Sequence, residues 1–97
     1  MTTNQPMTRV AIVTKYLGPT NYRGARIKAD AGEGRKLTIS YPHEISGDTN
    51  VHAAAAIALC QKMGWDDDDL LGGGTPTGCV FVFATSPRYP TKEHVNG

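Results

Sequence analysis

A chain of 97 residues with 39% hydrophobic and 7% aromatic residues suits one folded core and excludes both a two-domain protein and a disordered one. No apolar run approaches the roughly eighteen residues needed to span a bilayer, and Met1-Thr2-Thr3-Asn4-Gln5-Pro6 lacks the basic-then-apolar order of a secretory leader, so a cytoplasmic location and no membrane partner are expected. The net charge of +1 is segregated: residues 1–42 sum to +5, residues 43–84 to −5 and the remainder to +1, a layout that bears on steering and partner choice rather than on the fold.

Residues 1–7 read as a flexible lead, 8–84 as a single domain and 85–97 as a polar tail. Thr8 to Tyr16 is the first expected strand, since Val10, Ile12, Val13 and Thr14 cluster there and Leu17-Gly18-Pro19-Thr20-Asn21 closes it with turn residues. Both of its faces are apolar, which places it inside a sheet. Tyr22 to Ala29 forms the second strand, with Arg23, Ala25, Ile27 and Ala29 on the buried side and Tyr22, Gly24, Arg26 and Lys28 on the other. The loop 30–34 leads into a third strand, Arg35 to Tyr41, whose Leu37, Ile39 and Tyr41 face the core before Pro42 stops the ladder.

Asp48 suits an N-cap after Gly47, and from Thr49 to Met63 the residues Val51, Ala54, Ala55, Ala58, Leu59 and Met63 recur at helical spacing. Gly64 fits the left-handed residue that ends such a helix, and Trp65 is expected to fold back onto the core. Residues 66–78 read as a loop of acids and glycines, and Cys79 to Ala84, apolar on both faces, as a central strand. A helical crossover before it makes this last strand parallel to the first. The expected fold is therefore α+β, a four-stranded mixed sheet in the order 3-2-1-4 with one helix on one face. A single helix leaves the second face to be covered by Trp65 and the tail, by a second copy in a homodimer, or by another partner.

No motif carries recognisable chemistry, so no catalytic residue, metal or cofactor is expected and the chain reads as a non-enzyme. Gly72 to Gly78 lacks the preceding strand, following helix and lysine of a phosphate-binding loop and reads as a flexible loop or a mobile lid. Asp66, Asp67, Asp68 and Asp69 are consecutive rather than alternating, which fits a solvated acidic turn or a surface for a basic partner better than a calcium loop. Cys60 and Cys79 sit among apolar neighbours as reduced core thiols do. His43, His52 and His94 match no zinc spacing, and a Cys79–His43 nucleophile pair has no evident oxyanion site.

The N-terminal basic residues carry more weight. Lys15, Arg23, Arg26, Lys28, Arg35 and Lys36 interleave with Tyr16 and Tyr22, the combination of phosphate neutralisation and base stacking that nucleic-acid binders use. The alternative is a solvated strand face whose charges guard against edge aggregation.

Three strands followed by an alanine-rich helix resemble the later part of a double-stranded RNA-binding domain, although that family's lysine cluster is replaced here by Asp48-Thr49-Asn50 and its first helix is missing. Residues 14–21 (TKYLGPTN), 24–29 (GARIKA) and 41–44 (YPHE) are similar to segments of small uncharacterised proteins of bacteria and their phages and plasmids, a resemblance spanning roughly residues 9–84. It implies a shared fold and no known reaction. Three functions follow as expectations: a binding protein, such as a phage or plasmid accessory factor, that engages or inhibits a host macromolecular complex; a nucleic-acid binder using the basic strands; and a small enzyme or ligand-binding domain around Tyr41, His43 and Glu44.

Overall fold

The computed structural model describes residues 10–65 and 68–86. The strands are β1 (Ile12–Leu17), β2 (Arg26–Asp30), β3 (Lys36–Ser40), β4 (Leu70–Thr75) and β5 (Gly78–Phe83), with one helix, α1 (Asp48–Met63), between β3 and β4. The fold is α+β: one helix on a five-stranded sheet in the order β3-β2-β1-β5-β4. All four pairings are antiparallel.

The expected four strands and mixed sheet are therefore corrected. The extra strand is β4, Leu-Leu-Gly-Gly-Gly-Thr, which lies within the stretch expected to be a loop. Its three glycines have poor intrinsic strand preference, but β5 supplies a hydrogen-bonded template, pairing from Leu70 opposite Phe83 to Thr75 opposite Gly78. Because the chain leaves α1 into β4 and then turns back through Pro76-Thr77, β5 runs antiparallel to β1, where a direct crossover would have made it parallel. Glycine is required at two places. A Cβ on Gly72 would stand 2.5 Å from the ring of Phe81, its cross-strand neighbour, and one on Gly78 would collide with the Thr14 carbonyl oxygen.

The other boundaries move less. β2 begins at Arg26 rather than Tyr22, because residues 18–25 form a loop in which Thr20 Oγ1 accepts the backbone N–H groups of Tyr22 (3.2 Å) and Arg23 (3.0 Å) while the Thr20 N–H donates to the Arg23 carbonyl at 2.7 Å. This is what the Gly18-Pro19-Thr20-Asn21 segment does: a threonine hydroxyl closes the turn. Between β2 and β3, Asp30 Oδ1 accepts the Gly32 N–H at 2.7 Å, and Gly32, Glu33 and Gly34 all take positive φ. The N-cap of α1 is Gly47, at φ 93°, and Asp48 is its first helical residue, where a carboxylate suits the positive end of the helix dipole. At the other end Gly64 is left-handed, and the Trp65 N–H reaches the Cys60 carbonyl at 2.7 Å.

One face of α1 packs on one face of the sheet. Ala55, Ala56, Leu59 and Cys60 meet Ile12, Ile27, Ala29, Cys79, Phe81 and Phe83, the alanines letting the helix lie close to the strands. Trp65 joins this layer, its ring edge-on to Phe83 with centroids 6.2 Å apart. It folds back onto the core as expected, but on the helix side, so it does not cover the second face. Cys60 and Cys79 are buried, and no disulfide joins them. Among the described residues no helix is long and apolar enough to cross a membrane. Residues 1–7 and most of the expected polar tail, 87–97, lie outside the described residues.

Candidate functional site

The pleat sends alternate residues to opposite faces, and the register fixes which residues share the face away from α1. There Lys15 of β1 stands directly opposite Lys28 of β2, Leu17 opposite Arg26, and Asp30 opposite both Val13 and Lys36. Among the described residues, four cations thus share this face with one carboxylate. Lys28 Nζ lies 3.8 Å from Asp30 Oδ2, an exposed pair of little energetic weight. Like charges directly opposite on neighbouring strands oppose folding, so the Lys15–Lys28 pair needs a reason other than stability.

The other half of the same face is apolar. Val13 is 49% and Leu71 58% exposed, with half-buried Val80 and Val82 between them on β5. Ala11, Val13, Lys15, Lys28, Asp30, Ala31 and Gly32 line a shallow depression of about 460 Å³ where the two halves meet.

The expected basic residues are thus divided. Lys15, Arg26, Lys28 and Lys36 come together on the open face. Tyr16 does not: it lies on the helix side of β1, against Tyr41. Tyr22, 94% exposed, and Arg23 sit in the β1–β2 loop. Arg35 also turns to the helix side, where its guanidinium donates to the Gly32 and Ala31 carbonyls, lies 3.4 Å from Glu33 and stacks over Trp65 at 5.8 Å, so it is structural. In the acidic run, Asp66 and Asp67 lie outside the described residues. Asp68 accepts from the Thr85 N–H and hydroxyl and from the Asp69 N–H, which ties the start of β4 to the end of β5.

A larger cavity lies elsewhere, where the N-terminal turns of α1 meet one end of the sheet. It measures about 590 Å³ and is walled by Tyr16, Tyr41, His43, Asp48, His52 and Cys79, with Ala25, Val51, Thr77 and Gly78 completing it. Of the expected third site, Tyr41, His43 and part of the glycine segment meet here, while Glu44 is not in the wall. Cys79 and His43 share the cavity, but no hydrogen bond joins them among the described residues.

Sequence reading missed the residue that organises this cavity. Thr14, 1% exposed, is a polar residue at a helix-facing position, and His52 is 8% exposed. Thr14 Oγ1 lies 2.7 Å from His52 Nδ1 and 3.3 Å from the Cys79 carbonyl. Thr14 and His52 thus satisfy one another, the hydroxyl and the ring nitrogen each being able to donate or accept. The available signal was a threonine between two apolar strand positions and a histidine on the apolar stripe of a helix, two buried polar groups that each require a partner. Among the described residues no group of three or more His, Cys, Asp or Glu side chains is arranged to hold a metal ion.

Compared with protein-family profiles, curated proteins and solved structures, the chain finds no match in any of the three.

Proposed function

We propose that the chain is a non-enzymatic binding module that engages a protein surface, acidic at its rim and apolar at its centre, through the sheet face opposite α1. The observation that carries this reading is the composition of that face. Val13 and Leu71 are half exposed on it, beside the opposed Lys15–Lys28 pair. An apolar patch bordered by charge is what a protein interface presents, with the patch supplying burial and the charges supplying orientation. The segregation of charge along the chain supports the same reading, as does the resemblance to proteins of mobile elements, which suits an accessory factor of a phage or plasmid that occupies a host complex.

A second reading, nucleic-acid binding, is favoured by the Lys15–Lys28 pair and by the exposed Tyr22 next to Arg23. Against it stand the sequence pI of about 7.8, below the strongly basic range of dedicated nucleic-acid domains, and, among the described residues, the lack of an aromatic side chain on the open face.

One experiment separates the two. The immobilised protein is incubated with nuclease-treated extract of its source cells and, separately, with DNA and RNA probes over a range of salt. A partner retained by the wild type and lost with both Val13→Glu and Lys15→Glu/Lys28→Glu is the expected result. Binding of the probes that falls steeply with salt, with nothing specific retained from the nuclease-treated extract, would replace the first reading by the second.

A further inference from the structure

A second cavity, of about 450 Å³, adjoins the one at the start of α1 and shares Ala25, Tyr41 and His43 with it; its remaining walls are Arg23, Gly24, Arg26 and Ser40. The two have opposite chemistry. Among the described residues the first holds one formally charged side chain, Asp48, together with the rings of Tyr16, Tyr41 and His43 and the imidazole of His52. The second is lined by two arginines, Arg23 and Arg26.

Neither Arg23 nor Arg26 has an ion-pair partner among the described residues, and Arg26 Nε is buried without any hydrogen-bond acceptor. A buried guanidinium nitrogen left unpaired is costly to folding and marks a place where an acceptor is missing. Ser40, opposite Arg26 on β3, adds a hydroxyl. Two guanidiniums and a hydroxyl around one hollow are the donors that a phosphate takes.

In the first cavity the Tyr16 and Tyr41 rings stand nearly perpendicular, at 86° with centroids 6.0 Å apart, and His43 lies 4.9 Å from Tyr41. Such walls accept a flat ring by stacking or edge contact. The Asp48 carboxylate is an acceptor, suited to amino, ring N–H or hydroxyl donors on that molecule, and the His52 imidazole adds a polar edge. The cavity lies in the size range of small-molecule sites.

We propose that the two cavities form one site for a nucleoside monophosphate: the heterocycle and sugar occupy the aromatic, acceptor-lined cavity, the phosphate lies between Arg23 and Arg26, and Tyr41 and His43 stand at the junction. The order of charge supports a ligand of this polarity, with the lone carboxylate at the donor-bearing end and both arginines at the anionic end. The site shares Arg26 with the cationic half of the open sheet face and lies apart from its apolar half, Val13 and Leu71.

The test is titration of the full chain with AMP, GMP, CMP and UMP, followed by calorimetry and by amide chemical shifts, with the corresponding nucleosides and inorganic phosphate as half-ligands. At least one monophosphate is expected to bind, its nucleoside about tenfold or more weaker. Arg23→Ala and Arg26→Ala should each bring the monophosphate towards the affinity of its nucleoside, and His43→Ala should weaken both. Arg23 and His43 are exposed, so these variants keep the test informative if Arg26→Ala fails to fold. Ile57→Ala, on the outer side of α1 and in neither cavity wall, should bind as the wild type does. A 5′-phosphorylated dinucleotide binding more tightly than the monomer would identify a nucleic-acid end as the source, and weaker binding a free nucleotide. No binding of any monophosphate at millimolar concentration, or wild-type binding in both Arg23→Ala and His43→Ala, would overturn the proposal.

Discussion

Gly78 and Gly73 differ by five positions and by everything that matters to a side chain. At Gly78 a methyl group would collide with the Thr14 carbonyl where β5 passes β1, whereas at Gly73 nothing lies within 4 Å of the position. Gly78→Ala should therefore destabilise by about 3 kcal/mol, the range in which backbone displacement falls, while Gly73→Ala should be neutral or stabilise by about 0.5 kcal/mol through the unfolded chain. Urea denaturation of the two variants checks this contrast, and equal midpoints would contradict it. Thr14 makes a second residue-scale prediction. Thr14→Val keeps the shape of the buried site but leaves His52 Nδ1 without its partner, at a cost of about 1–3 kcal/mol, measurable in the same way. From sequence alone Thr14 reads as one β-branched residue among several. Only the packing of α1 across β1 shows that it faces a histidine 38 positions away.

At the scale of elements, β1, β2, β3, β5 and α1 were all legible, because each carries a regular apolar period and is bounded by turn residues. The strand β4 was not. Three consecutive glycines erase the alternation that marks a strand, and β4 exists because β5 and the Phe81 ring over Gly72 select it in the fold. That omission carried the error in topology with it, since losing one strand reverses the direction of the next. The helix makes the complementary point. Its stripe of Val51, Ala55 and Leu59 was readable, and the depth of Leu59 in the core follows from it, whereas the expected Ala54 and Ala58 are half-buried and Ala56, outside the expected stripe, is buried. Leu59→Ala should cost about 2–5 kcal/mol in denaturant unfolding, the range for removing a fully buried leucine. Ile57, 49% exposed on the outer side of the same helix, should tolerate alanine within about 0.5 kcal/mol.

For the whole molecule, the sequence disclosed that one helix cannot cover both faces of the sheet, and that the N-terminal half is basic. It could not say which of the basic residues share a face. Tyr16 and Arg35 alternate away from Lys15 and Lys36, and Tyr22 and Arg23 lie in a loop, so a cluster of eight becomes a patch of four beside an apolar strip. The candidate cavity was legible only in fragments, as Tyr41 and His43, because its floor is built from residues distant in sequence. The central claim is that the open face contacts the partner and the outer face of α1 does not. Site-specific photocrosslinking in the source cells tests it most directly, with the photoreactive residue at Val13 on the open face or at Ile57 on the helix. The account predicts a discrete protein adduct from position 13, resistant to nuclease and larger than twice the mass of the chain, and none from position 57. Adducts from position 57 alone, or an adduct from position 13 at twice the mass of the chain, would contradict it, the latter by showing that the face is occupied by a second copy.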